Sequence, residues 1–408
     1  MIIGFYIHHS AIKAGGYFTY SLGILKLLLN SDKIEKVYLI YSPKIKDQLQ
    51  DIISHKKIQT KEIDRNAFYI KYPFILSYFL YDVFLIIKSY FPKSKSFNFL
   101  RKLSFFLNPY RFILNPINID LFHVPMQFSP VYNLNKPIIV TMHDVQEMHY
   151  PEFFSPQERL HRALNSKKSI DESSHIIVSF NHIKNDLLKY FGVKENKVSV
   201  CPPPFSDDWF ANSKPNDLDK VKEKYKLSEE FILYPAATWQ HKNHLNLILA
   251  LDILRKDGIN VSLVCTGNKT NYFDEVIQRK IKELNFNIEV KFLGIIPESD
   301  LISLYKLTKL VVIPTIYEAG SGPLYEAMRY EIPVICSNIT SLPETMDNKE
   351  FLFNPKDVQE ISIMIKKGIK DNDFRKRNIE NSRRRINYFR GLNFETAFID
   401  TYNMVIQK

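Results

Sequence analysis

The strongest constraint on this chain is a rhythm that starts, breaks once and restarts. Short runs of β-branched and aromatic residues recur, each separated from the next by a longer stretch with helical spacing. In the first half the strand-like runs are Ile2 to His8, Lys36 to Tyr41, Ile119 to Val124, Pro137 to Met142, His175 to Ser179 and Lys197 to Cys201. Helical patterns such as Tyr17 to Leu29 and His182 to Phe191 lie between them. Parallel strands can be joined only through a crossover, usually a helix, so this alternation specifies an α/β fold built on parallel sheets.

The break is Pro202-Pro203-Pro204 followed by the polar stretch Ala211 to Lys220, which reads as a linker. Beyond it the alternation resumes, with strands at Phe231 to Ala236, Val261 to Thr266, Ile288 to Leu293, Leu310 to Pro314 and Pro333 to Ser337. Helices fit at His244 to Lys256, Tyr272 to Leu284, Glu298 to Leu307 and Gly322 to Arg329. The expected outcome is two doubly wound, Rossmann-like lobes facing across a cleft, over 1–210 and 211–385, with 386–408 forming a helix that packs back on the first lobe. A chain of 408 residues accommodates two such lobes at about 150 residues per domain.

Composition narrows the partners. Lysines and arginines number 55 against 44 acids, for a net charge of +11, which favours nucleic acid, anionic lipid or phosphorylated substrates. Cys201, Cys265 and Cys336 are far apart within apolar runs, which suggests neither a disulfide framework nor a zinc knuckle and fits a reducing cytoplasm. The N-terminal Met1-Ile-Ile-Gly-Phe-Tyr-Ile reads as a buried strand, not a signal peptide. The longest apolar run, Pro73 to Phe91, carries Asp82 and Lys88, so no transmembrane helix is expected.

In sheets of this type ligands sit beyond the carboxyl ends of the strands, so the chemistry should lie in the loops after them. The loop after Leu310-Val-Val-Ile-Pro314 contains Glu318, Gly320, Ser321 and Gly322 and leads into a helix carrying Glu326. Glycines bring backbone N–H groups close to an anion at a helix start, where the dipole favours negative charge. The two glutamates would repel a diphosphate and suit sugar hydroxyls better, although two solvated glutamates beside a turn is the plainer alternative. The first strand of the second half runs into Trp239-Gln-His-Lys242-Asn-His244, where a lysine at a strand-to-helix turn can neutralise a phosphate.

With these loops the sequence is similar to the retaining, GT-B-fold glycosyltransferases of family 4, also called group 1. The Glu318-x7-Glu326 loop, the Trp-x-His-Lys-Asn-His turn, Phe292-Leu-Gly294, Pro333 through Pro343-Glu344, and Leu352-Phe-Asn-Pro355 stand in the family's order. In the first half Gly15-Gly16, Phe122-His-Val-Pro125, Thr141-Met-His143-Asp144 and Tyr150-Pro-Glu-Phe-Phe are also family-like. The resemblance covers essentially the whole chain. It implies that Glu326 holds the donor ribose, Glu318 the transferred sugar and Lys242 the leaving diphosphate, assisted by the backbone of Gly320, Ser321 and Gly322. It also implies that His143 points at the donor sugar and that Gly15 and Gly16 let the first loop approach the donor; a core histidine and a plain turn are the alternatives. Where many relatives carry an arginine shortly before the lysine, this chain has Ala236, Ala237 and Thr238.

The function implied by the resemblance is hexosyl transfer from a nucleotide diphosphosugar, with GDP-mannose favoured, to a glycan acceptor, lipid-linked, in the biosynthesis of cell-surface polysaccharide such as lipopolysaccharide. An epimerase or phosphorylase on the same scaffold and a non-catalytic two-lobed sugar-binding protein are the rivals. No cofactor and no divalent metal is expected, since Asp217-Leu-Asp219 and Asp371-Asn-Asp373 lie in polar stretches that do not come after strands. Between Asp82 and Asp120 there is no acidic residue, while Lys88, Lys93, Lys95, Arg101, Lys102 and Arg111 alternate with aromatic residues. That mixture suits the anionic inner face of the cytoplasmic membrane, with nucleic acid set aside and ordinary core helices as the alternative.

Overall fold

A computed structural model describes residues 1–7, 16–204, 214–286 and 289–407. The chain divides into two compact units, Met1–Phe205 with Asn393–Lys408, and Ser206–Leu392. In the first unit the strands are β1 (Ile2–Tyr6), β2 (Lys36–Tyr41), β3 (Ile58–Glu62), β4 (Leu121–Val124), β5 (Ile138–Met142), β6 (His175–Val178) and β7 (Val198–Val200). They lie in the order β3-β2-β1-β4-β5-β6-β7, every pairing parallel. In the second unit β8 (Phe231–Pro235), β9 (Ser262–Thr266), β10 (Val290–Phe292), β11 (Leu310–Ile313), β12 (Val334–Ser337) and β13 (Leu352–Phe353) lie in the order β10-β9-β8-β11-β12-β13, again all parallel. Both are doubly wound Rossmann-like sheets, each reversing direction beside its first strand.

Burial explains the strand composition. Central strands have helices on both faces, so they read as continuous apolar runs: Ile3 and Phe5 of β1, and all of β11, are buried. Gly4 belongs to the same packing, because a Cβ there would sit 2.4 Å from the Phe122 ring on the neighbouring strand. The two strands without a sequence signature are the edge strand β3 and the two-residue β13. β3 pairs only with β2 and has the polar sequence Ile-Gln-Thr-Lys-Glu, as an exposed edge requires, so no apolar run marks it.

Two expected boundaries shift. A helix, Leu218–Tyr225, begins inside the stretch read as linker, with Asp217 as its N-cap. Near the other end, the helix Asn372–Gly391 runs unbroken through 385–386 because Ile386 and Phe389 are buried, and the chain rejoins the first unit at Asn393. There the helix Phe394–Ile406 buries Phe398, Ile399 and Tyr402. The Tyr402 hydroxyl lies 2.7 Å from Nδ1 of buried His123, whose other ring nitrogen is 3.0 Å from Thr141 Oγ1, and Ser31 donates to Glu395 at 2.7 Å.

The apolar run of the first unit forms the helix Phe68–Tyr90, and the helices Asn98–Leu107 and Pro109–Leu114 come next. Phe68–Tyr90 is long and apolar enough to cross a membrane by length and composition. It is also fastened to the unit by polar contacts: Ser77 donates to the Ser104 carbonyl at 2.8 Å, the Tyr81 hydroxyl donates to Glu172, and Asp82 pairs with Lys168.

Candidate functional site

In the second unit the sheet reverses direction between β8 and β11, and the loops leaving those strands carry Lys242 and Glu318. Physical chemistry locates a ligand at such a switch point, outside the carboxyl ends of the strands. Lys242 Nζ lies 2.7 Å from Glu318 Oε2, and both side chains are largely shielded.

A set of hydrogen bonds between the two loops fixes this pair. The His241 carbonyl accepts from Ile316 N–H at 2.8 Å and from Thr315 Oγ1 at 2.9 Å, and Tyr234 Oη donates to the Lys242 carbonyl at 2.8 Å. Asn243 adopts φ 60°, a left-handed conformation that asparagine tolerates, and its Nδ2 donates to the carbonyls of Pro314 and Pro355, each at 2.8 Å. Glu318 is held from the next loop, its N–H donating to Thr340 Oγ1 and its carbonyl accepting from Ser341 Oγ, both at 3.1 Å. Thus Asn243, Pro355 and the Thr340-Ser341 step build the turn on which the charged pair stands.

The loop after β9 closes against the same turn. Gly267 has φ 111°, and a Cβ there would meet the backbone of Ala236 and Ala237 at 2.7 Å. Its N–H donates to the Gly294 carbonyl at 2.8 Å, and Thr270 N–H donates to Thr238 Oγ1 at 2.8 Å. The Ala236-Ala237-Thr238 segment is therefore a packing surface. His241 and His244 are held neutral, each pushed down to about 3 by burial and then by Lys242, so Lys242 supplies the positive charge of the turn.

Glu326 sits on the helix Gly322–Arg329 and accepts a hydrogen bond from Tyr305 Oη at 2.6 Å. Burial raises its pKa above the ordinary carboxylate value, with Tyr305 opposing the shift. At the start of this helix the Ser321 hydroxyl accepts from Leu324 N–H at 3.3 Å, Tyr325 N–H bonds the Ser321 carbonyl, and Pro323 has no N–H. The Leu324 and Tyr325 amides are thus taken, and an anion at this helix start would meet the amides of Ser321 and Gly322 ahead of them. Gly320 is exposed on the approach to the helix.

In the first unit His143 comes directly after β5. Its Nε2 lies 3.1 Å from the Pro125 carbonyl, which can only accept, so the proton is on Nε2. The ring is buried between Tyr17 and Tyr20, each centroid 4.7 Å away, and burial lowers its pKa. Neighbouring Asp144 accepts from Arg162 at 2.5 Å, and Arg162 also reaches Glu147 at 2.7 Å. Gly16 opens the helix Gly16–Asn30, and Gly15 lies outside the described residues. Sequence reasoning misses Tyr305, Gly267 and Arg162, and it reads Thr340 only as part of the Pro333 to Glu344 motif. Tyr305 and Arg162 stand on helices and reach carboxylates of other elements, so neither leaves a local pattern.

Comparison with known proteins agrees with this architecture. Residues 216–385 match the model of the glycosyl transferases group 1, and residues 75–209 match that of glycosyltransferase family 4. The O-antigen chain mannosyltransferase B of Escherichia coli is 25% identical over 318 residues, covering 75% of this chain and 82% of that protein. The O-antigen chain mannosyltransferase RfbU of Salmonella typhimurium is 27% identical over 227 residues, 56% of this chain and 59% of that one. Among solved structures, Anabaena HepE in complex with UDP and glucose superposes with a TM-score of 0.67 at 18% identity, covering 99% of this chain and 100% of that one. The doubly wound halves, the paired loops at the switch point and both family models lead to one assignment: the chain belongs to the family 4, or group 1, glycosyltransferases.

Proposed function

We propose that this glycosyltransferase is a retaining enzyme that moves mannose from GDP-mannose to a lipid-linked glycan acceptor in cell-surface polysaccharide biosynthesis. The observation that carries the reading is the Lys242–Glu318 pair, a cation and a carboxylate 2.7 Å apart at the switch point of the second unit. When a sugar–diphosphate bond breaks, negative charge grows on the diphosphate and positive charge on the sugar ring. A fixed lysine stabilises the first most in the transition state, and a carboxylate orients the second through its hydroxyls. Glu326, held by Tyr305, takes the ribose hydroxyls, and the Gly322 amide adds a donor toward the diphosphate. His143, with its proton on Nε2, is the residue of the first unit that this reading assigns to the donor sugar.

Mannose is favoured because the two O-antigen relatives are mannosyltransferases by name. The reaction needs no divalent metal in this reading. The first aspartate of each Asp-x-Asp pair is spent as a helix cap, Asp217 on Asp219 and Lys220 amides and Asp371 on the Phe374 amide. Peripheral attachment to the inner face of the cytoplasmic membrane is supported by exposed Phe79, Phe91, Phe99, Phe106 and Phe112 among exposed Lys71, Lys93, Lys95 and Lys102.

The test is a thermal-shift screen of nucleotide sugars in EDTA. GDP-mannose at a hundredfold excess over its Kd should stabilise the protein by about 2.7 kcal/mol. Glu326→Ala, raising the donor Kd by the equivalent of about 1.5 to 3 kcal/mol, should cut that stabilisation to about 0.3 to 1.3 kcal/mol. A shift from no nucleotide sugar, or one seen only with added Mn²⁺, would overturn the reading.

A further inference from the structure

The helix Pro156–Glu172 is polar along most of its length, and Ile170 is its buried contribution to the core against the sheet. Its other large apolar side chains, Leu160 and Leu164, fall elsewhere. With Ala163, Lys167 and Asp171 they share one face at helical spacing and line a cavity of about 690 Å³, a volume within the range of ligand sites. The facing wall is the second half of the helix Phe68–Tyr90, where Tyr81, Phe84, Leu85 and Lys88 follow the same spacing. Arg101 of the helix Asn98–Leu107 and Phe191, the last residue of the helix Asn181–Phe191, complete it.

Every lining residue belongs to one of these four helices, and none to a strand or to a loop leaving a strand. Asp171 stands just before β6, and Phe191 ends the helix that runs back from β6, so the cavity extends toward the amino ends of the strands. Substrates of a doubly wound sheet bind at the opposite ends, which separates this cavity from the reaction.

Its chemistry is divided between an apolar floor and a cationic edge. Tyr81, Phe84 and Leu85 form a buried cluster of their own with Tyr132, and Leu164 packs against it. The charged lining groups are Lys88, Arg101, Lys167 and Asp171. Arg101 is committed to Glu172 at 2.7 Å, Lys167 pairs with Asp171 at 2.6 Å, and Lys88 Nζ donates to the Ser94 carbonyl at 3.1 Å. An ammonium has three donors, so Lys88 and Lys167 each keep donors for an anion. Ile86 and Leu160 are exposed at the mouth, and exposed Phe99, Leu103 and Phe106 continue the apolar surface along the helix that carries Arg101. An apolar cleft edged by cations and opening onto an apolar surface fits an anionic amphiphile, its chain inside and its phosphate on the ammonium groups.

We propose that this cavity binds one molecule of anionic phospholipid, with an acyl chain among Phe84, Leu85, Leu160 and Leu164 and the phosphate on Lys88 and Lys167. The site rests on the membrane reading above and deepens it: the first unit is held to the bilayer through its outer helices by a seated lipid, in addition to attraction between surfaces.

The experiment is calorimetric titration and native mass spectrometry of the full chain with dihexanoyl phosphatidylglycerol below its micelle concentration, beside dihexanoyl phosphatidylcholine and glycerol 3-phosphate. Phosphatidylglycerol should bind saturably, one molecule per chain, and phosphatidylcholine more weakly by about fivefold or more; glycerol 3-phosphate, which has no chain, should not bind. Ala163→Trp, at an exposed wall position, should fill the cavity and abolish binding, and Lys88→Gln and Lys167→Gln should each raise the Kd by about fivefold, with unfolding followed by circular dichroism as the folding control. No phosphatidylglycerol binding by the unaltered protein, equal binding of the two lipids, binding of glycerol 3-phosphate as tight as that of the lipid, or unchanged binding by folded Ala163→Trp overturns the proposal. Liposome flotation separates it from the reading it rests on. Flotation without single-lipid binding would leave surface attachment standing and refute this site, whereas single-lipid binding lost in Ala163→Trp without flotation would uphold the site and refute the attachment.

Discussion

Lys242 is paired with Glu318, which sets up a prediction of unusual sign. A nucleoside diphosphate arriving at the switch point must compete with Glu318 for the ammonium and also meets the carboxylate as a like charge. At 2.7 Å the attraction of the pair is about 1.5 kcal/mol in bulk water and about 6 kcal/mol at an effective dielectric of 20. With both side chains only partly exposed, at 20% and 11%, desolvation and side-chain ordering offset much of this. A net coupling of about 1 to 3 kcal/mol remains, roughly 5- to 150-fold in a binding constant. Glu318→Gln should therefore tighten binding of free GDP or UDP by a factor in that range while transfer collapses, because the sugar has lost its carboxylate. Lys242→Met should weaken nucleotide binding and lower kcat by about a hundredfold or more, as for removal of one electrostatic stabiliser. The double variant should fall between them. Calorimetric titration of all four proteins gives the cycle. Unchanged or weaker nucleotide binding by Glu318→Gln would refute the competition.

Tyr305→Phe keeps the shape of the buried ring but removes the donor to Glu326, and it should raise the donor Kd by about tenfold, with folding unaffected by circular dichroism. Because burial raises the Glu326 pKa in the folded protein, donor affinity should decline on acidification from a higher pH than for an ordinary carboxylate. Removing Tyr305, which opposes that shift, should move the decline higher still; a pH series of donor titrations checks both. For His143 the folded pKa is lowered, so its contribution to stability is present above the unfolded value near 6.5 and is lost as pH falls; its ring resonances should not titrate between pH 6.5 and 8 in NMR. On the membrane side, flotation with liposomes should show binding that rises with anionic lipid, falls with salt and drops when Lys93, Lys95 and Lys102 become glutamine. Arg101 belongs outside that set, because it is committed to Glu172 at 2.7 Å, and equal recovery with neutral and anionic vesicles would remove the membrane attachment.

The strand rhythm is legible in the sequence because buried parallel strands cannot avoid long apolar runs, and the turn carrying Lys242, Asn243 and His244 is legible because it leaves one of them. Where a strand is an edge, as with Ile58–Glu62, burial no longer dictates composition and the signal disappears. The site divides along the same line. Lys242 and Glu318 stand in loops, and Glu326 on the helix that follows the second loop, so their spacing is local. Tyr305 reaches Glu326, and Thr340 reaches Glu318, only after the strands have been laid side by side. Phe292-Leu-Gly294 and Leu352-Phe-Asn-Pro355 carry only their order at the level of sequence, and their physical content is the carbonyls of Gly294 and Pro355, which hold Gly267 and Asn243. Asp82 reads in the sequence only as an interruption of an apolar run. Its meaning depends on Lys168, brought alongside by helix packing.

The most direct measurement of the central claim is the anomeric configuration of the first product. Incubated with GDP-α-mannose and an octyl glycoside acceptor in EDTA, and monitored by proton NMR from the earliest time points, the protein should form an α-mannosidic linkage with release of GDP, and Lys242→Met should suppress both together. A β-linked first product would contradict retention. Absence of transfer from GDP-mannose and from every other nucleotide hexose would contradict the assignment of Lys242 and Glu318 to a donor site.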